Sequence, residues 1–152
     1  LSPEDFSATH EKGKNVMNIV LETLSVSTRK RNEMLDITAK VESVVRKSSV
    51  TDGEVIVYCP HTTAAITINE NADPSVVHDI LLTLEELVPH HRAGYRHGEG
   101  NSDSHVKSSM LGCSEQILIS KGSLVLGTWQ GIYFCEFDGP RSRKVIVQVR
   151  GQ

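Results

Sequence analysis

The chain has 152 residues, of which 38% are hydrophobic and 23% charged, and it carries a formal net charge of -3. That length suits one domain with a core of its own, and the mildly acidic balance argues against a general nucleic-acid or anionic-membrane binder, which needs a positive field. No stretch is apolar enough to span a bilayer, and Cys59, Cys113 and Cys135, odd in number and without CxxC spacing, read as reduced thiols of a cytoplasmic protein.

Residues 1–16 are polar and aperiodic and read as a mobile N-terminal arm, so the domain is 17–152. Residues 16–26 are rich in β-branched side chains and predict a first strand. Met34, Ile37, Val41, Val44 and Val45 recur at helical spacing, which predicts an amphipathic helix over 34–47. After the Thr51-Asp52-Gly53 turn, strands are expected at 54–59 and 63–69. Asp73 and Pro74 form a helix start, with carboxylate cap and proline at the first position, and that helix runs to about Val88. Residues 90–103 read as a polar loop, and Ser104 opens a short helix to Met110. Strands then follow at 116–120, 123–126, 132–137 and 144–150, with a Lys121-Gly122 turn between the first two. The order predicts an α+β fold: a mostly antiparallel sheet or sandwich with two main helices.

The residues suited to chemistry fall in segments 59–74, 95–109 and 127–143. If the strand starting near His61 is regular, Thr62, Ala64, Ile66 and Ile68 face the core, while His61, Thr63, Thr67 and Asn69 share the other face. That polar face is either a pocket floor or a solvated sheet surface. Asp73 has a capping role, whereas Asn71 has no evident structural duty and is the better site candidate. His97 and His105 lie in and after a glycine-bearing loop. With His61 they make a candidate three-imidazole metal site, since imidazole suits both zinc and proton transfer. His10, His90 and His91 have no supporting context. Trp129, between two glycines, reads as a core or interface plug. Glu136 lies on a strand with two apolar faces, so its carboxylate needs a cationic, metal or proton partner. Because both faces of that strand are apolar and helices are few, a closed homo-oligomer is expected. Arg141, Arg143 and Lys144 follow the Asp138-Gly139-Pro140 turn as a basic patch suited to phosphate.

The strings His61-Thr62-Thr63-Ala64, Asn69-Glu70-Asn71-Ala72-Asp73-Pro74 and Leu124-Val125-Leu126-Gly127-Thr128-Trp129-Gln130-Gly131, with the nearby Glu136, closely resemble the YjbQ-like family. The resemblance runs from about Met17 to the C-terminus. It implies a compact α+β fold, a homotrimer and, for some members, thiamine-phosphate-synthase activity, whether as the primary role or a secondary one. That reaction joins a pyrimidine-methyl diphosphate to a thiazole phosphate and releases pyrophosphate. His61, Asn71, His97, His105, Gln130 and Glu136 match family motif positions. These matches gather the residues at one site, and the working assignment takes Glu136, Asn71 and His61 as catalytic and Thr63, Asn69, Gln130 and Arg141 as substrate-binding. His61, His97 and His105 would face a divalent metal, Zn or Mg, or the substrate diphosphate. The Asp138-Gly139-Pro140-Arg141 run occurs in only some members. A metal-dependent hydrolase and a non-catalytic ligand-binding or assembly protein are the alternative classes.

Overall fold

A computed structural model describes residues 16–152, so the expected N-terminal arm lies outside the described residues except for Val16. Every strand pairing is antiparallel. Strands β1 (Asn18–Ser27), β3 (Gly53–Tyr58), β5 (Ser114–Ser120), β6 (Ser123–Leu124) and β8 (Ser142–Gly151) form one sheet in the order β1-β8-β3-β5-β6. Strands β2 (Glu33–Asp36), β4 (Ala64–Glu70) and β7 (Gln130–Glu136) form a second, with β7 in the middle. The helices are α1 (Thr38–Ser48), α2 (Pro74–Leu87) and α3 (Ser102–Leu111). The α+β expectation holds, with a third helix beside the two main ones.

Two cores hold these layers together. The larger lies between the inner face of the five-stranded sheet (Val55, Val57, Val145, Val147, Val149), α1 (Val41, Val44, Val45) and one face of the three-stranded sheet (Ile66, Ile132, Phe134). The smaller lies on that sheet's other face, where Ala65, Tyr133, Cys135 and Phe137 meet Leu84 of α2. Strand β7 is thus buried on both faces within one chain. Its apolar character needs no second copy to cover it, which corrects the expected reason for oligomerisation. Among the described residues, the outer face of the five-stranded sheet carries exposed Ile19, Leu21, Tyr58 and Leu118.

The helix expected over 34–47 is two elements. Met34 lies in β2 and packs into the smaller core, whereas Ile37 and the valines pack into the larger. The break occurs because the Asp36 carboxylate accepts both the N–H and the hydroxyl of Thr38, at 2.8 and 2.6 Å, and Ile37 N–H turns to Ile132 O. A helical spacing of apolar residues here arises from two cores addressed in turn. Asp73 caps α2 as expected, accepting the N–H of Ser75 at 2.9 Å. Lys121 and Gly122 form the expected turn, both with positive φ (52° and 73°), the conformation of a type I′ hairpin.

Candidate functional site

Strand β4 begins only at Ala64, and Ala64, Ala65 and Ile66 are all buried because the sheet is covered on both faces. The expected polar face along this strand is therefore not a pocket floor. His61 and Thr63 precede the strand, and they reach a site built from the turn after β7 and the loop before α3. This pocket, about 230 Å³, is lined by His61, Glu99, Asn101, His105, Asp138 and Arg141, among others. A second lobe of about 510 Å³ shares His61 and His105 with it and extends along α3 to Cys113.

Beneath the pocket lies Glu136, fully buried at the end of β7, and its partner is Arg143 of β8. Arg143 Nη2 and Nε donate to the two carboxylate oxygens at 2.6 and 2.8 Å. The same carboxylate accepts the Thr28 hydroxyl and the N–H groups of Phe137 and Asp138, while Arg143 also donates to the Thr63 hydroxyl. Burial pushes the Glu136 carboxyl up, but the Arg143 guanidinium and the Asp138 N–H outweigh it and hold the group below the usual range. Glu136 is ionised, saturated with donors and walled off from solvent. It fixes Arg143 and the following turn.

His61 Nε2 accepts the Lys144 N–H at 2.9 Å, so its proton sits on Nδ1. Burial, then the nearby Arg143 charge, lowers its pKa and keeps the ring neutral. Asn101 is 6% exposed; its Nδ2 donates to Asp138 at 2.8 Å, and Arg141 in turn grips Asp138 through the carboxylate and the backbone carbonyl. These contacts fix the amide orientation, and they leave Asn101 Oδ1 among the buried side-chain atoms without a donor. The pocket lining combines the Glu99 and Asp138 carboxylates and the Asn101 amide with the His61 and His105 rings and the Arg141 and Arg143 guanidinium groups.

The three histidines come together only in part. His97 meets His105 edge-on with ring centroids 5.1 Å apart, and His105 shares the pocket with His61. Among the described residues, no three His, Cys, Asp or Glu side chains are grouped to hold a metal ion. With His61 Nε2 also engaged by Lys144, the residues of one chain do not fit the expected three-imidazole metal site.

Asn69, Asn71 and Gln130 lie elsewhere. Ala64 pairs with Glu136 at one end of the β4–β7 ladder and Glu70 with Gln130 at the other, roughly 20 Å away at the usual strand rise. There Asn71 does have a structural duty: its Nδ2 donates to Asp36 at 2.9 Å, and its N–H donates to Trp129 O. Gln130 Oε1 accepts the Gly127 N–H and closes its own turn, and Asn69 Oδ1 accepts the N–H of Glu70. Trp129 is 63% exposed, so it is no core plug.

The sequence from Glu22 onward matches, over residues 22–152, the family described as UPF0047 protein YjbQ-like. The chain belongs to this family. It is 51% identical to UPF0047 protein YugU of Bacillus subtilis over 87% of this chain and all of that protein. It is 54% identical to UPF0047 protein MJ1081 of Methanocaldococcus jannaschii over 83% of this chain and 91% of that one. A crystal structure of a YjbQ/UPF0047 protein from Clostridium acetobutylicum superposes with a TM-score of 0.83 at 53% identity, covering 84% of this chain and 98% of that one. A YjbQ-like protein of unknown function from Sulfolobus solfataricus gives 0.87 at 34% identity, covering 90% and 100%.

Sequence reasoning missed several members of this YjbQ-like site. Arg143 had been grouped with a basic patch, yet it is the partner that buried Glu136 required. Asn101 and Asp138 read as loop and turn formers. A partly buried ion-pair cluster nearby has no signal of its own in the sequence: Lys107, 1% exposed, contacts Asp103 and Glu85, and Asp103 is also gripped by Arg31.

Proposed function

We propose that this chain is an enzyme acting on a small phosphorylated, nitrogen-bearing heterocycle, with thiamine-phosphate synthesis as the reaction. The observation that carries the reading is a single pocket in which the carboxylates of Glu99 and Asp138 stand beside the His61 and His105 rings and Arg141. An aminopyrimidine offers N–H donors that the Glu99 carboxylate would accept, and the arginine suits a phosphate.

In this reaction the bond between the pyrimidine methylene carbon and the diphosphate oxygen breaks, and the electron pair leaves with pyrophosphate. The thiazole nitrogen then forms a bond to that carbon and becomes cationic without losing a proton. No general base is required. The work is to hold two molecules in line and to stabilise positive charge developing on the methylene, which nearby carboxylates do by charge alone. Arg141 keeps guanidinium N–H groups beyond those bound to Asp138 and would meet the phosphate of the thiazole partner. His61, neutral with its proton on Nδ1, would donate a hydrogen bond and add no repulsion to the developing cation.

The homotrimer implied by the resemblance is supported by the bare sheet face carrying Ile19, Leu21, Tyr58 and Leu118, an apolar surface that a monomer would leave to water. A cytoplasmic setting is supported by three free thiols. The deciding experiment mixes the protein with the pyrimidine-methyl diphosphate and the thiazole phosphate and follows pyrophosphate release together with thiamine phosphate. Turnover that is lost in Asn101→Leu and His105→Ala supports the reading. Absence of product, or turnover unaffected by both changes, overturns it.

A further inference from the structure

The loop between α2 and α3 forms another, open pocket of about 340 Å³, whose lining differs from that of the first in lacking acids. Its wall includes His90, His91, Arg92, Tyr95, His97 and Ser102, and among its described lining residues there is no aspartate or glutamate. Glu99, 3.7 Å from His97 Nε2, lines the first pocket instead. The two cavities are neighbours, since His97 lines one, His105 lines the other, and their rings are in edge contact.

The loop is folded for this arrangement. His90 Nε2 and the Gly100 carbonyl lie 3.0 Å apart; a carbonyl only accepts, so Nε2 carries the hydrogen and ties the two ends of the loop. The N–H groups of Tyr95 and Gly100 close turns onto Arg92 O and His97 O. The rings of His90 and His91 stack with centroids 4.1 Å apart. Arg92 supplies a permanent charge in a fork that matches phosphate oxygens. None of these side chains contributes to either hydrophobic core.

We propose that this cavity is a phosphate subsite, holding the phosphate or diphosphate of a substrate whose amino-heterocycle occupies the adjoining pocket beside Glu99 and Asp138. The proposal rests on the reading given under Proposed function for its second half, but anion binding at Arg92 is a property of its own. It divides one substrate by charge: donors of the ring toward Glu99, Asn101 and Asp138, oxyanions toward Arg92 and the histidines.

The test is calorimetric titration of the full chain with inorganic pyrophosphate, comparing wild type, Arg92→Gln/His91→Asn and Arg141→Gln. Saturable binding that weakens about tenfold or more in the Arg92→Gln/His91→Asn protein, and less than about threefold in Arg141→Gln, is expected for loss of a charged fork. No saturable binding, equal binding by the Arg92→Gln/His91→Asn protein, or a loss that follows Arg141 would each overturn the subsite. The synthase assay separates the two readings. Binding at Arg92 without turnover sinks the synthase and leaves the subsite. Turnover with unchanged KM for the diphosphate in Arg92→Gln/His91→Asn sinks the subsite and leaves the synthase.

Discussion

Arg143 meets both oxygens of Glu136, at 2.6 and 2.8 Å, and in doing so joins the last residue of β7 in the three-stranded sheet to β8 in the five-stranded one. The pair is sealed from water and accepts or donates at nearly every remaining position. Removing one member leaves the other charge buried alone. Glu136→Ala and Glu136→Gln should each cost on the order of 3 kcal/mol or more, and Glu136→Gln/Arg143→Met should cost less than the sum of its single changes. Urea unfolding checks this. Strict additivity would mean that the two residues do not act as a unit.

The sheet-and-helix composition was legible because β-branched runs, the Asp73-Pro74 start and the Lys121-Gly122 turn are local signals. The need of Glu136 for a partner was equally legible, since a carboxylate among Ile132, Phe134 and Phe137 cannot stand unpaired. Which partner it takes was not, because β7 and β8 lie in different sheets and only the tertiary packing brings Arg143 inward. Met34 misled for a related reason: its spacing to Ile37 and Val41 fits one helix, and no local feature reveals that it faces a different core. Asn71 seemed free only because its partner, Asp36, is 35 residues away.

Gly131 and Asn71 make a second tight pair, away from the pocket. A Cβ at position 131 would lie 2.5 Å from Asn71 Nδ2, and Asn71 cannot swing aside without breaking its bond to Asp36. Gly131→Ala should therefore destabilise by about 1–3 kcal/mol, as overpacking does. Adding Asn71→Ala should restore part of that loss. Thermal melts of the two single variants and the double variant measure it, and a neutral Gly131→Ala would show that the backbone there yields freely.

Acid stability follows from two depressed carboxylates. Asp103, raised by burial but lowered more by Arg31 and Lys107, and Glu136, held down by Arg143, both titrate lower in the folded chain than in the unfolded one. Their stabilisation is present above the unfolded carboxylate value of about 4 and is lost as pH falls through the folded values. The urea midpoint should show a steep decline below about pH 4. Asp103→Asn should lower the midpoint at neutral pH and make the acid decline shallower. An unaltered acid decline in that variant would place the titrating groups elsewhere.

His61 titrates in a higher window, with the same sign. Its folded pKa is lowered by burial and by Arg143, so the unfolded chain binds the proton more readily near the ordinary imidazole value of about 6.5. The stabilising contribution is whole above that value and is lost as pH falls through the folded one. His61→Asn should remove this upper step and leave the lower one. Because the Lys144 N–H points at Nε2, nitrogen-15 chemical shifts at pH 7 should show a neutral ring protonated at Nδ1. A ring protonated at Nε2 would mean that the Lys144 contact is not made in solution. It would also deprive the pocket of the Nδ1 donor on which the proposed role of His61 depends.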